Sequence, residues 1–185
     1  MNALANPFQP FTSAEFHKMV RRGAFNDMRV ELRRGMIVKM SPKHLPHVQV
    51  QADLVMAFGL AIKAARLDWK VGVDATVSFG SGFDPDGDIV LYDLTLVADK
   101  TGPITPSGVK LVVEVADTSL DDDMGEKRDD YARFGLAEYW VADVNAKLVH
   151  MHAEPRNGAF AKIDRKTLSE PLAMLTRPDI VVQIA

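Results

Sequence analysis

The chain has 185 residues, about the length of one ordinary domain, and 47% of them are hydrophobic while 25% are charged. With a formal charge of -3, it could hold nucleic acid only through a local basic patch. The absence of cysteine excludes disulfides, thiolate metal sites and a cysteine nucleophile. We expect no membrane-spanning run, and the N-terminus lacks the pattern of a secretory signal, so we expect a cytoplasmic protein.

The first part of the chain predicts a leader, a short helix and a hairpin. Residues 1–11 contain prolines and are expected to form a flexible leader. Thr12 and Glu15 in "TSAE" have the spacing of a capping box, which predicts a helix that ends at Gly23. Residues 29–41 alternate in the strand period on both sides of "RRG", which predicts a β-hairpin.

The middle of the chain predicts one long helix followed by strands. Apolar residues recur at helical spacing between about residues 47 and 67, and Gln51 falls on the opposite, polar face. Residues 69–79 and 88–98 have the pattern of strands. The segment between them, "GSGFDPDG", has the composition of a turn.

The next part predicts a strand, a helix and a strand in succession. Residues 111–117, "LVVEVAD", are rich in valine, and a helix is predicted over 122–134 with Gly135 as its stop signal. A second apolar strand begins at Glu138. A helix between two apolar strands indicates a βαβ crossover, so we expect these strands to be parallel neighbours.

The order of the elements predicts the fold class. We expect a mixed β-sheet flanked by a few helices, of class α/β or α+β, with residues 12–185 in a single domain. The remaining strand candidates are one after the turn at Asp143 to Asn145, one at about 159–164 and one at about 179–184.

Three charged residues occur at informative places in this pattern. Asp88 begins an apolar strand, Glu114 lies inside the next one, and Lys127 follows in the helix after it. Two carboxylates on adjacent strands can hold a hard divalent cation such as Mg²⁺, and a nearby lysine can orient a water or counter phosphoryl charge. The alternatives are a turn residue for Asp88, a structural salt bridge for Glu114 and a solvated helix residue for Lys127.

Several anchors along the chain carry a resemblance to a known family. They are "FTSAEFHKMV", "VELRRGMIVKMSP", "HVQVQADLVMAF", "GDIVLYD", "LVVEVADTSL" and "EKRDDYARFGLAEYWVADV". Together they cover nearly the whole chain, and the stretch from Lys127 to Trp140 is the most specific. The chain resembles the Uma-two family of restriction endonucleases, a branch of the PD-(D/E)XK nuclease superfamily.

The resemblance implies a restriction-endonuclease-like core with a divalent-metal site. It makes Asp88 and Glu114 the metal ligands, with Mg²⁺ as the expected cofactor and Mn²⁺ as a substitute. The superfamily's usual lysine position, two residues after the glutamate, is here Ala116, and Lys127 on the following helix matches a migrated lysine. Glu31 matches a further family glutamate near the metal.

Other residues are weaker candidates for the functional site. His47 matches a recurrent family histidine, although a polar residue at a helix start is the alternative, and Tyr131 lies one turn after Lys127, where it either supports the lysine or packs. His150 and His152 could form a metal pair, but a solvated edge strand is the simpler explanation. The family's Pro-Asp is Gly-Asp here, and its Glu-Val-x-Ser-Pro is also altered.

The sequence therefore predicts a Mg²⁺-dependent endonuclease, with DNA the expected substrate and a homodimer reasonable for a small nuclease. The alternatives are a non-catalytic nucleic-acid- or partner-binding module that keeps the fold, and a structural dimerisation protein. Retention of all three charged residues favours the enzyme. Basic residues concentrated near the N-terminus form a candidate DNA-backbone patch or a solvated surface. They are Arg21, Arg22, Arg29, Arg33, Arg34, Lys39 and Lys43.

Overall fold

The structure is a computed structural model that describes residues 9–97 and 99–184. Most of the predicted leader, residues 1–8, therefore lies outside the described residues. The chain divides into two compact units. One comprises the chain up to Pro42 together with Ser78–Pro85, and the other comprises Lys43–Val77 and the chain from Asp86 onward. The single domain over 12–185 stays a prediction.

The first unit contains the predicted N-terminal helix and hairpin. Helix α1 covers Ser13–Arg21, and the reciprocal capping box of Thr12 and Glu15 is confirmed. The hairpin pairs β1 (Val30–Arg33) with β2 (Met36–Lys39). Asp84, at the end of the unit's second segment, forms an isolated bridge with β1 and so joins the two segments.

The second unit is built on a six-stranded mixed sheet in the order β3-β4-β5-β6-β7-β8. Its strands are β3 (Trp69–Thr76), β4 (Asp86–Asp93), β5 (Val109–Ala116), β6 (Glu138–Asp143), β7 (Leu148–Arg156) and β8 (Ala159–Thr167). Only β5 and β6 pair in parallel within this sheet, as the predicted crossover requires, and the other neighbours are antiparallel. The predicted mixed sheet flanked by helices is confirmed.

Helix α2 (Leu45–Ala64) covers one face of this sheet. Its buried residues Leu54, Phe58 and Ile62 join the core cluster formed by alternate residues of the central strands. Gln51 is also buried, so its assignment to the polar face is wrong. Within the described residues, α2 is the one helix long and apolar enough to cross a membrane, with a mean hydropathy of 1.3. The expectation of no such run was therefore too strict, although this helix packs on the sheet.

The predicted helix over 122–134 is interrupted. A short turn, α3 (Leu120–Asp122), leads into a π-helical turn at Asp123–Lys127, and α4 (Arg128–Arg133) follows. The break is at Gly125, whose φ of -106° and ψ of -111° are not helical. Glycine has a low helix propensity, and π-helical turns are frequent at functional sites. The widened turn carries Lys127 with its side chain buried.

The C-terminal strands differ from the prediction in extent. β8 continues to Thr167, and a small hairpin of β9 (Leu172–Ala173) and β10 (Val181–Val182) follows. Because β8 pairs along β7, the strand with the two histidines is not an edge strand. His152 is 2% exposed, and its ring lies 5.8 Å from the ring of Phe160. The solvated-edge interpretation is therefore wrong for His152.

Two glycines of the second unit give a matched test of packing. A Cβ at Gly87, next to Asp88, would lie 2.8 Å from Val112 Cγ1, whereas one at Gly59 in α2 would meet nothing within 4 Å. We expect Gly87→Ala to lower the free energy of unfolding by about 1–3 kcal/mol through overpacking. Gly59→Ala should raise it by about 0.5–1 kcal/mol because alanine favours a helix. Urea unfolding measures both, and a stabilising Gly87→Ala would contradict the close packing beside Asp88.

Candidate active site

Asp88 and Glu114 come together at one end of the paired strands β4 and β5. Ile89 and Val113 are direct register partners, and one step further the same register brings Asp88 opposite Glu114. The backbone N–H of Val115 donates a hydrogen bond of 2.8 Å to Asp88 Oδ2. Both carboxylates are buried, with 6% and 3% of the residue exposed. The two acids predicted from sequence are therefore neighbours in the fold.

Glu114 receives its partners from the segment that follows β5. Lys127 Nζ lies 3.1 Å from Glu114 Oε1, and the hydroxyl of Tyr131 donates to the same oxygen over 3.1 Å. Lys127 and Tyr131 are both buried. A buried charge without a partner is costly, so this ion pair explains how a glutamate is accommodated among valines. Lys127 and Tyr131 thus both contact Glu114, and the contact of Tyr131 with the glutamate was not predicted from the sequence.

Asp88 receives its partners from α2 and the residues just before it. Lys43 Nζ lies 2.6 Å from Asp88 Oδ1, and His47 Nε2 lies 3.4 Å from the same oxygen. Gln51 donates a hydrogen bond of 2.7 Å to the backbone carbonyl of Asp88. His47 Nε2 is buried and makes no hydrogen bond to another described residue, so its contact with Asp88 is electrostatic. The cap of α2 is His44, and His47 lies inside the helix against Asp88.

These neighbours set the charge state of Asp88. Burial by itself raises the pKa of Asp88, but His47 and Lys43 beside the carboxylate outweigh burial and lower the pKa to about 2. Asp88 is therefore an anion throughout the neutral range. An ionised carboxylate is the form that binds a cation.

Asp123 is a further buried acid that was not among the predicted site residues. Burial raises its pKa, although Lys127 and a hydrogen bond from Ser119 oppose the increase. Its backbone carbonyl accepts a hydrogen bond of 3.0 Å from the hydroxyl of Tyr139. The charge of Asp88 also acts on Asp123, which extends the acidic environment of the site. Its signal in the sequence was its place as the last of three consecutive aspartates, residues 121–123.

Glu31 belongs to the first unit, and its role near a metal stays a prediction. It is 5% exposed, with Arg33 Nη1 lying 3.8 Å from its Oε1. Arg33 is itself buried, and Lys43 is paired with acids of the second unit. These two residues therefore do not belong to an exposed basic patch. Five residues of the candidate patch are exposed, namely Arg21, Arg22, Arg29, Arg34 and Lys39.

The donor atoms of the site fit a hard divalent cation. Mg²⁺ is commonly held by one or two carboxylates, with waters and substrate oxygens completing the shell, and Asp88 and Glu114 supply two carboxylates side by side. Three or more acids or histidines grouped as for a protein-only metal cage do not occur among the described residues. The buried, unbonded Nε2 of His47 faces the same place. The residues therefore fit Mg²⁺ or Mn²⁺ and not a closed structural metal site.

The hydroxyl of Tyr131 offers a direct test of how Glu114 is held. We expect Tyr131→Phe to lower the free energy of unfolding by about 1.5 kcal/mol, because a hydrogen bond to a buried carboxylate is lost. The control is Tyr92→Phe, which changes a half-buried tyrosine of β4. Its free energy of unfolding should stay within about 0.5 kcal/mol of the wild-type value. Chemical denaturation measures both. Equal stability of Tyr131→Phe and wild type would mean that the hydroxyl of Tyr131 does not help to hold Glu114.

Two solved structures resemble the chain to different degrees. The crystal structure of a protein from Anabaena variabilis, described as a putative nuclease of the DUF820 group, superposes with a TM-score of 0.72 over 95% of each chain at 13% identity. The type IIG restriction endonuclease BpuSI aligns more loosely, with a TM-score of 0.46 and 15% identity over 71% of this chain and 15% of its own. No curated protein matches the chain.

The first of these superpositions identifies the fold as that of a nuclease-like protein. The sequence itself is matched over residues 13–184 by the model of one family, Uma2, described as "Putative restriction endonuclease". The match spans nearly the whole chain and includes every residue of the site. The chain therefore belongs to the Uma2 family of restriction-endonuclease-like nucleases.

Proposed function

We propose that the protein is a Mg²⁺-dependent endonuclease that hydrolyses phosphodiester bonds in DNA. The observation that carries the proposal is the pair of buried carboxylates on adjoining strands, Asp88 and Glu114, with Lys127 3.1 Å from Glu114. Two acids adjoin here, with Lys43 in contact with Asp88 and Lys127 in contact with Glu114.

Each residue has a distinct part in this proposal. Asp88 and Glu114 would hold the divalent cation, which when bound supplies charge stabilisation at phosphorus and a more acidic water. Lys127 orients the attacking water and counters negative charge that develops on the phosphoryl group. Tyr131 positions Glu114 through its hydroxyl, and His47 keeps Asp88 ionised. Glu31 is proposed as an additional or water-mediated ligand.

DNA is the proposed substrate because the family is one of restriction endonucleases. The exposed arginines and Lys39 of the first unit offer groups that could neutralise backbone phosphates despite the net charge of -3. We further propose that two copies pair when both strands of a duplex are cut.

Cleavage assays test this function. Purified protein is incubated with supercoiled plasmid, single-stranded DNA and RNA, each with Mg²⁺, with Mn²⁺ and with EDTA. We expect metal-dependent nicking or cutting of the plasmid and none in EDTA. Absence of cleavage with either metal would refute the catalytic proposal and favour a binding module, which gel-shift and filter-binding assays on the same DNA would detect. Cleavage of RNA alone would refute DNA as the substrate.

A further inference from the structure

Lys43 lies between two carboxylates of adjacent strands. Its Nζ is 2.6 Å from Asp88 Oδ1 and also forms a salt bridge with Asp74 Oδ1 on β3. The side chain of Lys43 is 15% exposed. The ammonium group thus contacts an oxygen of the same carboxylate that is proposed to bind the metal.

The backbone of Asp74 indicates that this arrangement is specific. Asp74 adopts a left-handed conformation with φ of 50° in the middle of β3, where extended backbone is the rule. Its neighbours Val73 and Ala75 pair with Ile89 and Gly87, so Asp74 lies across from Asp88. For a residue with a side chain this conformation is uncommon and costs about 1–3 kcal/mol when sparsely populated, and such outliers cluster at functional sites.

Gln51 connects the two acids independently of the lysine. Its Nε2 donates to Asp74 Oδ1 over 3.1 Å and to the backbone carbonyl of Asp88 over 2.7 Å. Its Oε1 accepts from Lys43 over 3.4 Å. Because Gln51 is buried in α2, it fixes both strands relative to the helix. Gln51 therefore continues to hold both strands when Lys43 releases Asp88.

We propose that Lys43 is a tethered cation that bridges Asp88 and Asp74 in the metal-free protein and keeps only Asp74 when a divalent cation binds Asp88. The inference rests on the proposed function, since it requires that Asp88 bind the metal. The ammonium group of Lys43 and the divalent cation compete for the carboxylate of Asp88, because two positive charges repel each other strongly at a buried position. Lys43 also neutralises Asp88 before metal arrives, and an unpaired buried carboxylate would otherwise destabilise the protein. Asp74 is the alternative partner that makes the exchange inexpensive.

Metal affinity, and not activity, is the direct measurement. Mn²⁺ is titrated by calorimetry at pH 8 into wild type, Lys43→Met, Lys43→Arg and Asp74→Asn. We expect Lys43→Met to bind Mn²⁺ about tenfold more tightly, which corresponds to about 1.4 kcal/mol. Lys43→Arg keeps the charge and should resemble wild type. Asp74→Asn should bind several-fold more weakly, because Lys43 then has only Asp88.

The double variant Lys43→Met with Asp74→Asn shows whether Asp74 affects metal binding through Lys43 or directly through its own charge. If Asp74 acts through Lys43, the effect of Asp74→Asn should nearly vanish in the Lys43→Met background. Thermal unfolding adds a second readout. Without metal, Lys43→Met should melt below wild type, and Mn²⁺ should raise its melting temperature by more than that of wild type. Circular dichroism verifies that each variant is folded.

The outcomes distinguish this inference from the proposed function. Wild type that binds Mn²⁺, together with a folded Lys43→Met that binds it equally or more weakly, would overturn the competing role of Lys43 and leave the metal site intact. Failure of wild type and every variant to bind Mn²⁺ would overturn both. Binding by Lys43→Met but not by wild type would support both strongly.

Discussion

Asp88→Asn is expected to reduce metal-dependent DNA cleavage by at least about 1000-fold, equivalent to about 4 kcal/mol of transition-state stabilisation. Asparagine keeps the shape of the side chain and an oxygen that can accept the hydrogen bond from Val115. It removes the charge that a divalent cation requires. Lys43 keeps Asp74 as a partner, so the variant should fold. Initial rates of plasmid nicking measure the loss of cleavage. Titration with Mn²⁺ by calorimetry measures the loss of metal binding.

The control for Asp88→Asn is Asp93→Asn at the other end of β4. Asp93 accepts a hydrogen bond of 2.9 Å from the N–H of Thr95, and the basic residue that acts on its charge is Lys110. The Asp93→Asn variant should cleave DNA at the wild-type rate. Full activity of folded Asp88→Asn would sink the assignment of Asp88 as a ligand, and intact Mn²⁺ binding with lost cleavage would transfer its role to catalysis.

The pH dependence of Asp88 follows from its lowered pKa. A carboxylate whose pKa falls from 3.8 to about 2 on folding adds stability that is fully present above its ordinary pKa. This contribution is lost as the pH falls through about 2. We therefore expect no inflection from Asp88 in the cleavage rate between pH 5 and 9. Any acid limb in that range would come from another group.

The parts of the site that the sequence predicts are those governed by local periodicity. The strand pattern of residues 111–117 predicts that Glu114 lies among valines. The crossover rule predicts that β5 and β6 are parallel, so the helical segment between them returns along the sheet past Glu114. Lys127 and Tyr131, one helical turn apart, then lie on the same side. The charge of a buried glutamate demands a partner, so an approaching lysine could be anticipated. The observed Lys127–Glu114 contact follows from these steps.

The parts that the sequence did not predict depend on contacts between distant segments. Gln51 falls on the same predicted polar face as Gln49 and Asp53, and its burial depends on its contacts with Asp74 on β3 and Asp88 on β4. Lys43 precedes the helix and appears as one more basic residue, and only the pairing of β3 with β4 brings Asp74 and Asp88 to it. The interruption at Gly125 was likewise not predicted by helical periodicity. Amphipathic patterns predict which side of a helix or strand faces the core, but they do not predict which residues from other segments it contacts.

Lys127→Met is expected to lower the cleavage rate by about 100- to 1000-fold, the usual effect of removing one group that stabilises transition-state charge. Because Asp88 and Glu114 are unchanged, Mn²⁺ binding should persist. The two measurements therefore separate Lys127 from the metal ligands. Lys63→Met, an exposed lysine on α2, removes the same charge and should cleave normally.

Stability complicates this variant, because Lys127→Met leaves buried Glu114 with the hydroxyl of Tyr131 but without the ammonium partner seen at 3.1 Å. Breaking a buried pair typically costs about 3–5 kcal/mol. The double variant Glu114→Gln with Lys127→Met removes both charges and should recover much of that loss in urea unfolding. It should remain inactive, however, since it lacks one proposed metal ligand and the lysine proposed to orient the attacking water. If Lys127→Met instead cleaves DNA at the wild-type rate while it is destabilised, the lysine serves only to neutralise Glu114, and the group that orients the attacking water must lie elsewhere in the site.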